Sequence, residues 1–382
     1  MDFTLTEEQL AIRDMAAKFA RQEIAPHVRD YDREERFPLE IYAKMGPLGL
    51  TGGVIPEEYG GVGMDYTTYA LVIMELARYC QALAGAATWA SGIIGASLLR
   101  YGSEALKRKY LVPLAQGRGP AAVALTETHT GSDVAAMRLR VTRKGGGYVL
   151  NGTKTWVSML KSCQWILAFG TLDPALGHKG ICAFVVEPEW AGVTAVPFTH
   201  KVGFRPMETG ELVFEEVAVP PENLVGKEGD GFRVAMCAVE NGRMGVAARC
   251  CGMLRACLED SLAYVPTRET FGVPIGQRQL IQAKITDMVV WHETATLLLL
   301  KLAGLKDQGA RARVEASMAK MYASDMLMRA AEHAMQIHGA YACSDDYPVG
   351  RYWRDAKFMQ VIEGTNEIHR WLIAEYALGY RK

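Results

Sequence analysis

Residues 357 to 370 read KFMQVIEGTNEIHR, and Glu363 follows Met359-Gln360-Val361-Ile362 and precedes Gly364-Thr365. A carboxylate held in apolar surroundings is hard to ionise. Its pKa climbs toward neutrality, and it becomes a base able to take a proton from a weak carbon acid. The same acid on a wet helix surface is merely solvated, and residue type alone leaves both readings open.

Four other stretches carry chemistry of a different kind. "ALTETHTGSDVAAM" (124 to 137) offers Thr126, Thr128, Thr130, Gly131 and Ser132, hydroxyls and backbone amides suited to a polar ring edge or a phosphate, or else a plain polar turn. "TKTWVS" puts Trp156 on a strand beside Thr155 and Ser158, as core or as a flat platform next to a heterocycle. "RETFGVPIGQRQLIQ" gathers Arg268, Phe271 and Gln279 about a turn, where a cation grips a pyrophosphate or faces solvent. "MQIHGAYA" offers Gln336 and Gly339, with a helix C-cap as the bland reading. No P-loop, GxSxG, HExxH or GxGxxG is present, so a redox cofactor needs a cradle other than a Rossmann unit.

These groups must be positioned by elements, and 382 residues exceed one ordinary core. Residues 1–118 read as helices: Thr6 with Gln9 makes a capping-box start, and Leu10, Ile12, Met15, Phe19 and Ile24 recur at helical spacing. "VIPEEYGGVGMD" is a loop, after which Tyr69 to Ala87 and Ile93 to Tyr101 are apolar enough for buried helices. Over 119–226 short β-prone runs bounded by Gly and Pro predict a compact antiparallel sheet or barrel, with a hairpin turn at Asn151-Gly152. Helical periodicity returns over 227–382, with breaks near Pro274, Gly309 and Tyr347-Pro348, the pattern of an antiparallel bundle. Clefts between such domains are preferred ligand sites.

Composition narrows the partners. Apolar residues make up 49% and charged residues 22% at a formal net charge of −1, so neither nucleic acid nor an anionic membrane is favoured. The N-terminus has neither the basic nor the apolar region of a signal peptide, and apolar stretches such as Leu297 to Leu300 are too short to span a bilayer, so a cytoplasmic protein is expected. Eight cysteines without a CxxC read as reduced packing residues, and the histidines do not cluster as metal ligands.

Together the motifs resemble the flavin-dependent acyl-CoA dehydrogenases, collinearly and over essentially the whole chain: "LTEEQLAIRD", "IPEEYGGVG", "LTETHTGSD", "NGTKTWVS", "NGRMGVAARCCG", "RETFGVPIGQRQLIQ", "MQIHGAYA", "RDAK" and "IEGTNEI". The resemblance implies a multidomain α+β fold: an N-terminal all-α domain, a middle antiparallel β-barrel domain and a C-terminal four-helix bundle, assembled as a homotetramer and carrying FAD. By that resemblance Leu125, Thr126, Gly131 and Ser132 meet the flavin and its phosphates, and Trp156, Val157 and Ser158 flank the isoalloxazine. Arg268, Gln279 and Gln336, Ile337, His338, Gly339 and Ala340 reach a neighbouring subunit's FAD, while Thr365, Asn366 and Glu367 close over the cofactor. Glu240, Asn241, Gly242 and Arg243, with Ser132, Ile362 and Gly364, line the acyl-CoA site. Glu363 becomes the base that takes the α-proton of an acyl-CoA while the β-hydrogen leaves as hydride, and the electrons pass to an electron-transfer flavoprotein. Some members place the base just before the arginine of the "NGR" motif, where this chain has Gly242.

Three departures bear on the substrate. The family's Glu-Pro-Gly-Ala-Gly-Ser-Asp loop reads Glu127-Thr128-His129-Thr130-Gly131-Ser132-Asp133, which puts its backbone in question; His129 is expected at the surface. Ile362 stands where straight-chain members often carry an aromatic residue, leaving room for a branched or cyclic acyl group. Arg249, seven residues after Gly242, falls on the stripe that faces the base, either paired with a neighbouring helix or anchoring a distal carboxylate. An enoyl-CoA reductase or an acyl-CoA oxidase on the same scaffold, and a helical binding protein without catalysis, are the competing readings.

Overall fold

The computed structural model describes residues 4–381. Helix α1 (Glu7–Phe19) starts at the capping box expected at Thr6: its hydroxyl accepts from the Gln9 N–H, and the Gln9 side chain accepts from the Thr6 N–H. A π-helical segment extends it to Ile24, and α2 (Val28–Glu34) and α3 (Leu39–Met45) follow. Where one helix was expected from Tyr69 to Ala87, two form, α4 (Tyr66–Ala77) and α5 (Gln81–Thr88), interrupted at Arg78-Tyr79-Cys80. The Cys80 backbone is extended there, and the Ala77 carbonyl accepts from the Gln81 side chain. Helix α5 runs on through a π-helical stretch into α6 (Gly95–Tyr101), and the short α7 (Glu104–Leu106) and α8 (Val112–Ala115) close the first unit.

The middle unit is a curled seven-stranded sheet: β1 (Ala121–Ala124), β2 (Arg140–Lys144), β3 (Gly147–Ser158), β4 (Trp165–Thr171), β5 (Ile181–Val186), β6 (Val193–Pro197) and β7 (Thr209–Val219). It is antiparallel except that β1 runs parallel to β4 and β2 touches β4 in parallel at Arg140 and Thr171. The hairpin expected at Asn151-Gly152 lies elsewhere. Strand β3 passes straight through that dipeptide, and the turn is at Gly145-Gly146, both at positive φ, where Lys144 pairs with Gly147. Asn151 instead marks a bulge against β7: its amide donates to the Glu216 carboxylate and its oxygen accepts from the Glu216 N–H. A turn dipeptide and a bulge both call for a glycine at positive φ, and local sequence does not distinguish them.

Strand β4 is buried on both faces. Ile166 and Ala168 join the larger core, while Trp165, Leu167 and Phe169 meet Ile93, Leu111 and Val234 in a second one, so the sheet is clamped between both helical units.

The last unit comprises α9 (Gly231–Tyr264), a two-stranded hairpin of β8 (Glu269–Thr270) and β9 (Val273–Pro274), α10 (Gln279–Asp307), α11 (Arg313–His338), α12 (Val349–Val361) and α13 (Asn366–Ala377). Helices α9, α10 and α11 pack on one another, and α12 and α13 pack on α11. Contrary to the expectation from short apolar stretches, Gln81–Tyr101 and α10 are long and apolar enough to cross a membrane by length and composition; the first is 83% buried, α10 only 28%. All eight cysteines are free, and seven are buried.

Candidate active site

Helix α12 ends at Val361, and the chain reverses through Ile362, Glu363, Gly364 and Thr365 before α13. Glu363 takes φ 54° and Gly364 φ 91°, the left-handed region that a glutamate enters at a cost of about 1 kcal/mol or more. Three side chains hold the turn. Lys320 of α11 is fully buried, and its ammonium donates to Gly364 O (2.8 Å), Asn366 Oδ1 (2.8 Å) and Gln360 O (3.3 Å). His369 Nε2 lies 3.2 Å from Glu363 O. Burial, with Arg243 and Lys320 nearby, drives its imidazole pKa down to about 3, so the ring is neutral; a carbonyl only accepts, so Nε2 carries the proton. Asp325 accepts from Gln360 Nε2 (2.8 Å) and Asn366 Nδ2 (2.7 Å), tying both sides of the reversal to α11.

The turn delivers the Glu363 carboxylate against α9 at Gly242. A methyl group built there would sit 2.5 Å from Oε2 and 2.7 Å from Cδ, so the acid occupies the volume a side chain at 242 would take. Burial pushes its pKa up to about 7, opposed by the charges of Arg249, Arg243 and Lys320. Arg243 is itself depressed by burial and donates to Ser317 Oγ at 3.4 Å. One turn toward the start of α9, Glu240 pairs with Arg313, and Asn241 accepts from Lys306 at 2.9 Å. Both line a cavity of about 800 Å³ together with Arg100, Arg233, Lys306, Arg311 and Arg313 and the rings of Tyr66, Tyr101 and Phe232.

The loop from Leu125 to Asp133 is held by hydrogen bonds of its own. Glu127 and Thr130 exchange two backbone hydrogen bonds of 3.0 Å, and the buried Glu127 carboxylate accepts from Arg138 N, Leu139 N and Lys154 Nζ (2.7, 2.9 and 2.6 Å). Lys154, fully buried, also donates to Leu125 O. Gly131 and Ser132 stay exposed, with only a Thr126 methyl near the glycine, and His129 is at the surface. Trp156 stands out of β3 at φ 56° with 56% of its surface exposed, edge-on to Phe198, while Val157 is buried and Ser158 partly so. An exposed indole beside exposed hydroxyls and an open glycine fits a planar heterocycle with a polar, phosphate-bearing tail.

Other expected cofactor residues sit at the opposite end of the bundle. Tyr264 stacks on His338 with ring centroids 4.3 Å apart, which brings the ends of α9 and α11 together, with Arg268 four residues past Tyr264 and Gly339 and Ala340 directly after His338. Arg268, Gln279, Gln336, Gly339 and Ala340 are exposed; Ile337 and His338 turn into the core and leave only backbone to a ligand. Eighteen residues of α11 separate His338 from Lys320, about 27 Å of helix, so one chain does not bring these residues to the Glu363 turn. The Asn366 side chain is spent on Lys320, Ser324 and Asp325, Thr365 Oγ1 caps α13, and Glu367 is exposed.

Lys320, His369 and Asp325 escaped the sequence reading. A signal for Lys320 was there: it shares the i, i+3, i+4, i+7 stripe of Ala316, Ala323 and Leu327, where a lysine is buried with them.

Profiles of the acyl-CoA dehydrogenase N-terminal, middle and C-terminal domains match residues 6–118, 122–217 and 229–378. The chain is 40% identical over 375 residues to an acyl-CoA dehydrogenase of Bacillus subtilis (strain 168), covering 98% of this chain and 99% of that one. It is 38% identical to a glutaryl-CoA dehydrogenase of Desulfococcus multivorans, covering 100% and 99%. Its fold matches butyryl-CoA dehydrogenase of Megasphaera elsdenii with TM-score 0.95 at 36% identity, covering 99% and 100%. A chain in a structure described as the electron transferring flavoprotein of Acidaminococcus fermentans matches with TM-score 0.96 at 37% identity, covering 99% and 100%.

Proposed function

Because the chain belongs to the acyl-CoA dehydrogenase family, whose members are FAD-dependent oxidoreductases, we propose that it converts a short acyl-CoA thioester to the trans-2-enoyl-CoA with Glu363 as the base. The observation that carries this reading is the Glu363 carboxylate, pressed against Gly242 with its pKa raised by burial to about 7. An ordinary glutamate is too weak a base for a carbon acid; one poised near operating pH is basic enough and still about half ionised there.

Leu125, Thr126, Gly131 and Ser132 hold the cofactor's polar part, and Trp156, Val157 and Ser158 flank its ring. Bound there, FAD supplies the hydride acceptor for the β-hydrogen. Glu363 takes the α-proton, and the left-handed turn held by Lys320 and His369 keeps the carboxylate aimed at that atom. Glu240, Asn241, Gly242, Arg243 and Gly364 border the thioester, and Ile362 leaves space for a branch or ring beside the base. The cavity next to Asn241 suits the rest of the substrate: five cations and three aromatic rings match a phosphate-rich, adenine-bearing CoA tail. Arg268, Gln279 and Gln336 to Ala340 serve the FAD of a neighbouring subunit in a homotetramer, and an electron-transfer flavoprotein takes the electrons.

The test is a panel of acyl-CoA thioesters scored for anaerobic bleaching of the flavin. At least one short thioester bleaches the wild type, and Glu363→Gln abolishes bleaching while FAD stays bound; bleaching that survives the substitution means that the base is another group. Hydrogen peroxide formed in air at the rate of turnover would mark an oxidase instead.

A further inference from the structure

We infer that Arg249 anchors a carboxylate at the far end of the acyl chain, so that the substrate is the CoA thioester of a short dicarboxylic acid. This rests on the reaction proposed above and names its substrate class.

Arg249 lies seven residues after Gly242 on α9, about 10.5 Å along the axis and on the same stripe, with its long side chain leaning back toward the start of the helix. It is 1% exposed. Its Nε donates to Gln81 Oε1 at 3.1 Å, and its guanidinium carbon lies 4.9 Å from the centre of the Phe204 ring. Among the described residues no carboxylate comes within ion-pair distance, and Nη2 has no hydrogen-bond partner. Arg255, six residues further along α9, shows the contrast: both of its Nη atoms bond the buried Glu75 carboxylate, at 2.8 and 2.6 Å. A desolvated guanidinium with a free N–H is an unfinished site. Its planar fork is the shape that a carboxylate completes with two parallel bonds.

The surroundings set the length of what completes it. Between the base and the cation, α9 presents Gly242 and Gly245, and Thr88 of α5 lies so close that a methyl group at Gly245 would sit 2.9 Å from it. Gly85, on the same helix, is the close neighbour of the guanidinium and of Phe204. The base and the cation thus bracket two turns of α9, with the Phe204 ring against the guanidinium. An acyl group whose α-carbon meets Glu363 and whose distal carboxylate meets Arg249 is a short diacid. A cation that only tuned the base would act on every substrate alike, which the experiment separates.

FAD-loaded enzyme is assayed anaerobically, with a ferrocenium salt as the one-electron acceptor that reoxidises the flavin, on matched pairs of thioesters, glutaryl-CoA against valeryl-CoA and succinyl-CoA against butyryl-CoA, and kcat/KM is compared within each pair. Wild type prefers a diacid member by at least tenfold. Arg249→Gln lowers that ratio at least a hundredfold, mostly through KM, and Arg249→Lys restores part of it. A wild type without preference for either diacid, or a ratio that Arg249→Gln leaves unmoved, overturns the inference. Should Arg249→Gln fail to retain FAD, the wild-type ratio and Arg249→Lys decide. If no thioester of either kind bleaches a bound flavin, the dehydrogenase reading itself falls, a result distinct from bleaching without preference.

Discussion

The role we propose for Glu363 rests on folding making its charged form costly, and the same cost gives two opposite pH dependences. Only the ionised carboxylate takes a proton. Flavin reduction under stopped-flow conditions therefore rises about tenfold per pH unit below about 7 and levels off above it, and a flat profile from pH 5.5 to 8 would remove Glu363 from the role. Stability runs the other way. Between the ordinary value of 4.5 and about 7 the native state keeps a proton that the unfolded chain has lost, so stability from this group falls as pH rises through that window. Glu363→Gln should thus be more stable than wild type above pH 7, by on the order of 3 kcal/mol, and the gap should close toward pH 4.5. Gly242 tests the geometry independently. Gly242→Ala puts a methyl group into the carboxylate, displaces it, and should cut flavin reduction at least a hundredfold in protein that still binds FAD.

At the scale of elements, the reversal between α12 and α13 that carries Glu363 is fixed from a third helix. Lys320 satisfies two of its carbonyls and one of its side chains, and burial holds the lysine pKa down to about 8. Lys320→Met removes those bonds and one of the cations that ease ionisation of Glu363. We expect kcat to fall ten- to a hundredfold and the pH midpoint of flavin reduction to move upward; an unmoved midpoint would leave Lys320 a purely structural residue. Glu127 and Lys154 do the same for the loop from Leu125 to Asp133, tying it to β3 and to the backbone at Arg138 and Leu139. Elements were legible to unequal depth. Capping and periodicity located α1, α9, α10 and α11, whereas the Asn151 bulge and the break at Cys80 depend on pairing with Glu216 and on packing, which local pattern does not carry.

Across the whole molecule, α10 buries one apolar side on α9 and α11, and a second apolar face is left exposed among the described residues. Val289, Val290 and Leu297 are exposed along it, Leu280 opens it, and Phe271 projects from the preceding hairpin with 96% of its surface free. Patches of this kind mark protein contacts, and Arg268 and Gln279, which we propose to serve a neighbouring subunit's flavin, are exposed just before and at the start of α10. If this face joins subunits, Val289→Asp with Leu297→Arg breaks the assembly, read by light scattering, and releases FAD along with it. Oligomers that persist with full flavin content would place the interface elsewhere.

By itself the sequence determined the order of helical, β and helical units, the motifs that mark the family, and the vacancy at Gly242 that singles out Glu363. Each of these is written in spacing between near neighbours or in residue identity. The tertiary structure alone decided that burial raises the Glu363 pKa, that its turn is left-handed and held by Lys320 and His369, that the Asn366 side chain is already spent, and that Arg249 is buried with no carboxylate among the described residues within ion-pair distance. The physical reason is common to all four. A pKa, a satisfied amide or an unpaired cation depends on which groups from α5, α9, α11 and the sheet converge within a few ångströms, and periodicity records which face of a helix is buried but not what it is buried against.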